Sequence, residues 1–297
     1  MKILAGSHNG YLAQKVSQKT GFSVIPINIS RFPNGEYKIQ IKESLSGQKC
    51  IIINSMSHPT HDNIMQMFLL ADAAKRSGAK KITAIVPWLA YSPQDKVFRQ
   101  GEPLSSKVLV SLLESLPINN FILLDVHSSL ILDYFQKPVK EISALPLFQE
   151  YVNQNLTINS VDWYVVALDK GSIKRSSRLA KLLKLEIKNF NKKRDQETGE
   201  ITYTRFPEEL QNKNVIIVDD YTSTGGTLVQ AVEHLKGNGA RECVCFLTYC
   251  VSREGLDAVL KSRINQLIIT NSITYPDLKH DKLTILDISS LIAQEIL

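Results

Sequence analysis

The sequence has no long hydrophobic run, which argues against one class of protein. No apolar stretch among the 297 residues approaches the roughly 20 residues that a membrane-spanning helix needs. The opening Met-Lys-Ile-Leu-Ala-Gly leads directly into polar residues, so we expect no signal peptide and a cytoplasmic location. We therefore expect no membrane partner.

Cysteine is scarce, with four residues in the chain. Cys243 and Cys245 are two apart in an apolar run, so both would lie on one face of a strand and could contact one ligand. We favour the simpler interpretation that the cysteines are small buried hydrophobic residues of a reduced protein.

A concentrated basic run is also missing. The net charge is +6, but the acidic and basic residues are mixed along the chain. There is no cluster that would follow a nucleic-acid backbone and no set of interleaved aromatic residues on which bases would stack. We therefore expect no nucleic-acid partner, and the positive charge suits a small anionic substrate.

Two common phosphate-binding motifs do not occur. The chain has no Gly-x-x-x-x-Gly-Lys-Ser/Thr loop and no Gly-x-Gly-x-x-Gly fingerprint. If the protein binds a phosphate group, it therefore does so without a Walker-type loop or a dinucleotide fingerprint.

A different phosphate-binding pattern occupies residues 215–227. Four apolar residues predict a buried parallel strand, and Asp219 and Asp220 follow where this strand should end. The next residues form a turn rich in hydroxyl groups and glycine before an amphipathic helix: Thr222, Ser223, Thr224, Gly225, Gly226 and Thr227. Free N–H groups at a helix start suit a phosphate, and the two carboxylates suit the hydroxyls of a sugar. The pattern predicts a ribose 5-phosphate site.

A simpler explanation of the same residues is that the aspartates cap the helix and the glycines only form a turn. Gly225 and Gly226 would then be needed for backbone conformation alone. We favour the phosphate site because strand, carboxylates, turn and helix occur together.

Short apolar runs alternate with helical patterns along the whole chain, which predicts an α/β fold with parallel sheets. The runs at 82–86 and 121–126 resemble those at 163–168 and 215–218, so we predict one α/β unit used twice. The expected domains are residues 1–147 and 148–297. Residues 189–204 have two strand-like arms around a polar tip and predict a protruding hairpin that carries basic residues.

Taken together, these motifs resemble those of the ribose-phosphate pyrophosphokinase family. The resemblance covers nearly the whole chain and includes five further segments: Arg31-Phe-Pro-Asn-Gly-Glu36, Tyr91–Pro103, Asp125-Val-His127, Leu168-Asp-Lys-Gly171 and Lys192-Lys-Arg194. It implies two tandem type I phosphoribosyltransferase-like domains, each with a mainly parallel sheet flanked by helices. It also implies a homo-oligomer built from dimers, commonly a hexamer in the family.

The resemblance implies that the chain transfers the β,γ-diphosphoryl group of ATP to ribose 5-phosphate. Lys192 and Arg194 would be catalytic, His127 would ligate Mg²⁺, and Asp169 would be a metal-site carboxylate near a second Mg²⁺ or the ribose. Residues 219, 220 and 222–227 would bind the ribose phosphate. The expected ATP-binding residues are Phe32, Asn34, Gly35, Glu36, Gln94, Asp95 and Arg99.

Two departures from the family pattern leave alternatives open. Asn34 stands where most members have Asp, and Pro93 stands where the family typically has Arg. The first alternative is the same transfer to a larger ribose 5-phosphate derivative such as ADP-ribose. The second is a non-catalytic subunit associated with the synthetases. The basic residues of the hairpin argue against this alternative, because a protein that only binds would not need them.

Overall fold

The fold is described from a computed structural model of the chain. The structure describes residues 1–169, 171–189, 192–194, 201–203, 210–275 and 278–297, with the backbone alone at 192–194 and 201–203. Within these ranges, no helix combines the length and the apolar character needed to cross a membrane.

The chain forms two compact units. Unit 1 comprises Met1–Ser143, Asn271–Thr274 and Asp287–Leu297, and unit 2 comprises Ala144–Thr270 and Tyr275–Leu286. The division into domains at residues 1–147 and 148–297 stays a prediction. The last helix, which those limits assign to the second domain, lies in unit 1 because it packs against the first helix of the chain.

Unit 1 is built on a six-stranded sheet in which all neighbouring strands are parallel. Across the sheet the strands are β2 (Ser23–Val24), β1 (Lys2–Ala5), β5 (Lys49–Ile53), β6 (Lys81–Val86), β7 (Asn120–Leu124) and β8 (Val139–Ile142). An antiparallel hairpin of β3 (Ile27–Arg31) and β4 (Tyr37–Ile41) lies between β2 and β5 in sequence. The helices are α1 (Gly10–Thr20), α2 (Thr60–Arg76), α3 (Ser105–Ser115), α4 (Leu130–Asp133) and α9 (Ser289–Ile296).

Unit 2 is built on a second six-stranded parallel sheet. Across the sheet the strands are β10 (Glu186–Asn189), β9 (Trp163–Ala167), β13 (Asn214–Thr222), β14 (Glu242–Cys250), β15 (Gln266–Thr270) and β16 (Leu283–Leu286). A hairpin of β11 (Lys192–Arg194) and β12 (Ile201–Tyr203) lies between β10 and β13 in sequence. The helices are α5 (Leu145–Asn155), α6 (Ile173–Leu183), α7 (Gly226–Gly237) and α8 (Arg253–Lys261).

The α/β class and the two parallel sheets are confirmed. In unit 2 the core forms because β13 and β14 are buried along most of their length, as the continuous apolar character of central parallel strands requires. Leu228, Val232 and Leu235 of α7 and Leu256 and Val259 of α8 pack into this core. These two helices therefore fix the carboxyl end of β13 against the rest of the sheet.

Both units have the same strand order. Counted within each unit, and leaving out the hairpins, the second strand lies at the edge and the first beside it, followed by the third to sixth strands. The two-stranded hairpin follows the second strand in both units. The repeat is thus real, but the expected residue matching is wrong, because β6 and β7 are the fourth and fifth strands whereas β9 and β13 are the first and third.

Candidate active site

The first part of the site is the carboxyl end of β13. This strand continues to Thr222, four residues beyond the predicted end, because β14 continues beside it as far as Cys250. The partner on its other side, β9, pairs with β13 only up to Ile217. Asp219 and Asp220 therefore lie in the strand itself, beyond the end of the ladder with β9.

Three carboxylates influence one another at this strand end. Asp220 is buried at 6% exposure, Asp219 is partly buried, and the Asp220 N–H donates to Asp219 Oδ1 over 2.9 Å. Burial raises the pKa of Asp219 well above its usual value, and the negative charges of Asp220 and Asp169 raise it further. This crowding of negative charge favours a ligand that brings hydroxyl donors or a cation.

The turn after β13 is exposed at the positions expected to bind phosphate. Helix α7 starts at Gly226 and has Gly225 as its N-cap, in the left-handed region with φ of 77°. The Gly226 N–H donates to Thr224 Oγ1 over a long 3.5 Å. Asp219 and Asp220 lie in β13, several residues before the N-cap, which argues against the simpler explanation in which they cap the helix. Ser223, Thr224 and the first residues of α7 are exposed, whereas Gly225 is buried. The turn can therefore present hydroxyl and N–H groups to an anion.

Helix α8 packs against this turn through Ser252 and Gly255, two residues that the sequence alone did not single out. Ser252 Oγ donates to the Ser223 carbonyl oxygen over 2.7 Å and accepts from the Gly255 N–H over 3.0 Å. A Cβ atom on Gly255 would lie 1.8 Å from the Ser223 oxygen, and one on Gly225 would lie 2.7 Å from the Gly255 oxygen. The backbones meet so closely that only glycine fits at 255. Ser252 is recognisable as an N-cap in the sequence, but its contact with residue 223 is not.

Asp169 lies two residues after the end of β9, in the turn before α6. Its N–H donates to Ser172 Oγ over 3.1 Å, and its Oδ1 accepts from the Ser172 N–H over 2.9 Å. These bonds fix the carboxylate at the end of β9, close enough to Asp219 to affect its pKa. Lys170, which follows, lies outside the described residues.

The predicted hairpin is present as a pair of antiparallel strands. Lys192 pairs with Tyr203 and Arg194 with Ile201. The side chains of Lys192 and Arg194 lie outside the described residues, so their catalytic role stays a prediction.

In unit 1, the predicted nucleotide loop forms the tip of the β3–β4 hairpin. The Phe32 N–H donates to the Glu36 carbonyl over 2.8 Å and the Gly35 N–H donates to the Phe32 carbonyl over 2.9 Å, with Gly35 at a φ of 90°. Phe32 is 46% exposed, which leaves its ring accessible to a base. Asn34 Oδ1 accepts from the Glu36 N–H over 3.2 Å, so the amide at this position closes the turn without a negative charge.

The second nucleotide segment forms the loop before α3. Ser105 Oγ donates to Gln94 Oε1 over 2.5 Å, and the Asp95 carbonyl accepts from the Tyr134 hydroxyl over 2.6 Å. The Arg99 N–H donates to the Glu102 carboxylate over 3.0 Å, and the Arg99 side chain is exposed. Backbone and side-chain contacts therefore hold this loop at three of its predicted binding positions.

His127 lies exposed at the carboxyl end of β7 in unit 1. Two residues before it, Asp125 is buried, has a φ of 34° and accepts from Ser143 Oγ over 2.8 Å. The Val126 N–H donates to the Glu141 carboxylate over 2.9 Å. Asp125 thus helps to fix the turn that carries His127. The sequence alone did not assign this role to Asp125.

The donor atoms fit a loosely held divalent cation better than a closed metal centre. No group of three or more His, Cys, Asp or Glu residues in the described ranges is arranged to hold a metal ion. The carboxylates near Asp219 nevertheless offer oxygen ligands, which Mg²⁺ prefers, and their mutual repulsion would decrease when a cation binds. Mg²⁺ commonly completes its coordination with water and substrate phosphate oxygens.

Comparison with known proteins identifies the family. Residues 1–116 match the family model for the N-terminal domain of ribose phosphate pyrophosphokinase, and residues 140–275 match the phosphoribosyl transferase domain model. A ribose-phosphate pyrophosphokinase from Aquifex aeolicus is 32% identical over 297 residues, which is 100% of this chain and 94% of the relative. The chain belongs to the ribose-phosphate pyrophosphokinase family.

Other members of the ribose-phosphate pyrophosphokinase family agree with this assignment. The Bacillus subtilis protein of that name is 31% identical over 300 residues, covering 100% of this chain and 93% of the relative. A crystal structure of phosphoribosylpyrophosphate synthetase from Mycobacterium smegmatis matches with a TM-score of 0.90 at 28% identity, over 99% of this chain and 97% of that one. The expected phosphoribosyltransferase-like fold is confirmed, and the family is one of enzymes.

Proposed function

We propose that this protein transfers the β,γ-diphosphoryl group of ATP to the anomeric hydroxyl of ribose 5-phosphate, giving 5-phosphoribosyl 1-diphosphate and AMP. The observation that supports this most directly is the carboxyl end of β13. There, two aspartates lie directly before an exposed turn and the start of α7. The relatives named ribose-phosphate pyrophosphokinase, which match the chain over its whole length, support the same reaction.

In this proposal the ribose phosphate binds in unit 2. Asp219 and Asp220 accept hydrogen bonds from neighbouring ribose hydroxyls. The 5-phosphate contacts the turn that starts at Thr222 and continues through Ser223, Thr224, Gly225, Gly226 and Thr227. Helix α7 places its positive dipole end at the phosphate, which favours the dianion over a neutral ligand.

ATP binds to unit 1 in this proposal. Phe32 stacks on the adenine, and Asn34, Gly35 and Glu36 surround its polar edge. Gln94, Asp95 and Arg99 line the phosphate side. The exposure of Phe32 and Arg99 supports these roles, because a ligand can reach both side chains.

Lys192 and Arg194 act on the diphosphoryl group during its transfer. The reaction is an in-line displacement at phosphorus, so the protein contributes alignment and charge stabilisation more than covalent chemistry. The anomeric hydroxyl attacks the β-phosphorus and loses its proton to water, the bond from that phosphorus to the α-phosphate oxygen breaks, and AMP leaves with the electron pair. A cation positioned on the transferred group contributes roughly 10³–10⁵ in rate in related phosphoryl transfers.

The proposed metal is Mg²⁺, with His127 in unit 1 as a candidate ligand of one ion and Asp169 in unit 2 as a candidate ligand of a second. When bound, Mg²⁺ neutralises charge on the phosphates. Asp169 offers the oxygen ligand that Mg²⁺ prefers, and His127 is the less usual nitrogen ligand. We also propose a cytoplasmic homo-oligomer built from dimers, with a hexamer as the form common in the family.

The test is an assay of AMP and 5-phosphoribosyl diphosphate formed from ATP, Mg²⁺ and ribose 5-phosphate. We expect Lys192→Ala to lower kcat by about 10³-fold or more, because one cation on the transferred group is removed. Successive strand residues alternate between faces, so Lys193→Ala is the matched control and should retain most of the activity.

Two results of this assay would contradict the proposal. If the wild type turns over no faster than Lys192→Ala, the protein does not catalyse the proposed transfer. If ADP-ribose replaced ribose 5-phosphate with a much higher kcat/KM, the acceptor would be wrong and the larger derivative would take its place.

A further inference from the structure

The second nucleotide segment is attached to the stretch of unit 1 that follows His127. The Tyr134 hydroxyl, at the end of α4, donates to the Asp95 carbonyl over 2.6 Å. This distance is at the short end of the range for O–H···O hydrogen bonds. Asp95 is assigned to the phosphate side of ATP, and His127 is assigned to a metal ion. Tyr134 therefore joins two parts of the proposed site that are far apart in sequence.

Backbone hydrogen bonds connect Tyr134 to the turn that carries His127. The Ile131 N–H donates to the Ser128 carbonyl over 3.1 Å, and the Tyr134 N–H donates to the Ile131 carbonyl over 3.2 Å. The Ile131 side chain is completely buried, which anchors α4 in the core of unit 1. Because Ser128 follows His127 directly, these bonds fix the position of Tyr134 relative to His127.

The chain beyond Tyr134 is anchored as well. The Glu114 carboxylate of α3 accepts from the Gln136 N–H over 2.7 Å and from the Lys137 N–H over 2.6 Å. Phe135, which precedes these two residues, is buried. Tyr134 thus lies between two fixed stretches of backbone, so its hydroxyl is a fixed point for whatever it contacts.

The second nucleotide segment is less firmly held than this support. Ser105 Oγ donates to Gln94 Oε1 over 2.5 Å and so attaches Gln94 to α3. Residues 96–101, which follow Asp95, are exposed throughout. Asp95 is therefore the last position before an exposed stretch, and the hydrogen bond from Tyr134 determines where that stretch begins.

We propose that Tyr134 is a positioning residue that fixes Gln94 and Asp95 relative to His127 before ATP binds. The proposal rests on the phosphate side of the ATP site proposed for unit 1, and the nucleotide loop at 31–36 plays no part in it. Tyr134 acts through the Asp95 carbonyl. A segment that is held in place in advance loses less conformational entropy when its ligand binds, which increases the affinity.

The first test is Tyr134→Phe, which removes the hydroxyl and keeps the ring. We expect the Kd of a non-hydrolysable ATP analogue with Mg²⁺, measured by calorimetry, to rise about 2- to 10-fold, the effect of losing one hydrogen bond. The KM for ATP should rise by a similar factor. The KM for ribose 5-phosphate and the melting temperature should stay close to those of the wild type.

Tyr11→Phe is the matched control in the same unit. Tyr11 belongs to α1 and is 64% exposed. Its ring lies near a lysine, as the ring of Tyr134 does: Lys15 Nζ is 5.4 Å from the centre of the Tyr11 ring, and Lys107 Nζ is 5.9 Å from that of Tyr134. Loss of the Tyr11 hydroxyl should change neither the Kd of the ATP analogue nor either KM.

A double variant tests the link to His127. If Tyr134 and His127 acted independently, Tyr134→Phe combined with His127→Ala would raise the Kd by the product of the two single factors. We expect a smaller rise, because the spacing of the two parts matters less once one of them has lost its contact. A rise equal to the product overturns the inference. So does an unchanged Kd for Tyr134→Phe, or an equal rise in the KM values of both substrates.

Calorimetry separates this inference from the proposed function. If the wild type binds the ATP analogue without forming AMP and the variants bind it more weakly as described, the positioning role holds and the proposed reaction fails. If the wild type turns over and Tyr134→Phe binds the analogue normally, the reaction holds and the positioning role fails. A wild type that neither binds the analogue nor turns over overturns both.

Discussion

At the scale of single residues, the ribose-binding role proposed for Asp219 would come at a cost in stability. Its carboxylate is partly buried beside Asp220 and Asp169, and these surroundings raise its pKa well above the usual value. The charged form is therefore unfavourable in the folded protein without ligand. The same charge is needed if the carboxylate accepts hydrogen bonds from ribose hydroxyls.

Asp219→Asn should therefore lower activity and raise stability at neutral pH. We expect kcat/KM for ribose 5-phosphate to fall about 10- to 100-fold, the effect of losing a hydrogen bond to a charged group. The melting temperature without ligand should rise, by roughly 2–4 °C for each kcal/mol gained in a domain of this size. Asp72→Asn, which changes an exposed aspartate, should alter neither quantity.

The pH dependence follows from the direction of the pKa shift. Because the pKa of Asp219 is raised on folding, its contribution to stability is present at low pH and is lost as the pH rises through the folded-state pKa. The stabilisation by Asp219→Asn should thus be largest at neutral pH and disappear in acid, where the wild-type carboxyl is also protonated. Thermal melting curves across this range check the sign, and a gain that increased in acid would contradict it.

At the scale of secondary-structure elements, α8 contacts the turn after β13, to which we assign the phosphate, and limits where this turn can lie. Gly255→Ala would place a Cβ atom 1.8 Å from the Ser223 oxygen, so the turn must move. We expect the KM for ribose 5-phosphate to rise by up to about 10²-fold, since a displacement near 1 Å can cost that much. The Kd for an ATP analogue should stay unchanged.

Gly237→Ala provides the control for this prediction, because a Cβ atom there would meet nothing within 4 Å. Ser252→Ala is the milder variant, since it removes the hydrogen bond to the Ser223 oxygen and the N-cap of α8 without a clash. Equal KM values for Gly255→Ala and the wild type would show that α8 does not position the turn.

The sequence predicts the central elements of the fold well and the close contacts between them poorly. Strands β6, β7 and β9 coincide closely with the apolar runs at 82–86, 121–126 and 163–168, because these runs reflect local burial. β8 has no such run, because Val-Lys-Glu-Ile is short and partly exposed, as edge strands commonly are. The fit of Gly255 against Ser223 depends on tertiary packing, which no local pattern encodes.

At the scale of the whole molecule, the end of the chain stabilises its beginning. Helix α9 packs against α1, and Ile292 is completely buried in unit 1. Asn271 and Asp287 are linked by a hydrogen bond of 3.0 Å, and the Ile288 N–H donates to Asn271 over 3.0 Å. These bonds fix the residues at which the chain re-enters unit 1.

Ile292→Ala should therefore destabilise unit 1, although residue 292 follows unit 2 in sequence. Removal of a buried isoleucine side chain costs about 2–5 kcal/mol of unfolding free energy. Hydrogen exchange should show faster exchange in α1 and β1, with unit 2 nearly unaffected. Leu297→Ala, at 79% exposure, is the control and should have no measurable effect. Loss of protection in unit 2 alone would contradict the assignment of α9.

The placement of α9 also has a consequence for protein synthesis. The ribosome synthesises residues 1–143 well before the segments 271–274 and 287–297, which complete unit 1. Residues 1–143 must therefore wait, with part of their apolar surface uncovered, until residues 287–297 have been synthesised. During that interval they should depend on chaperones more than the middle of the polypeptide does.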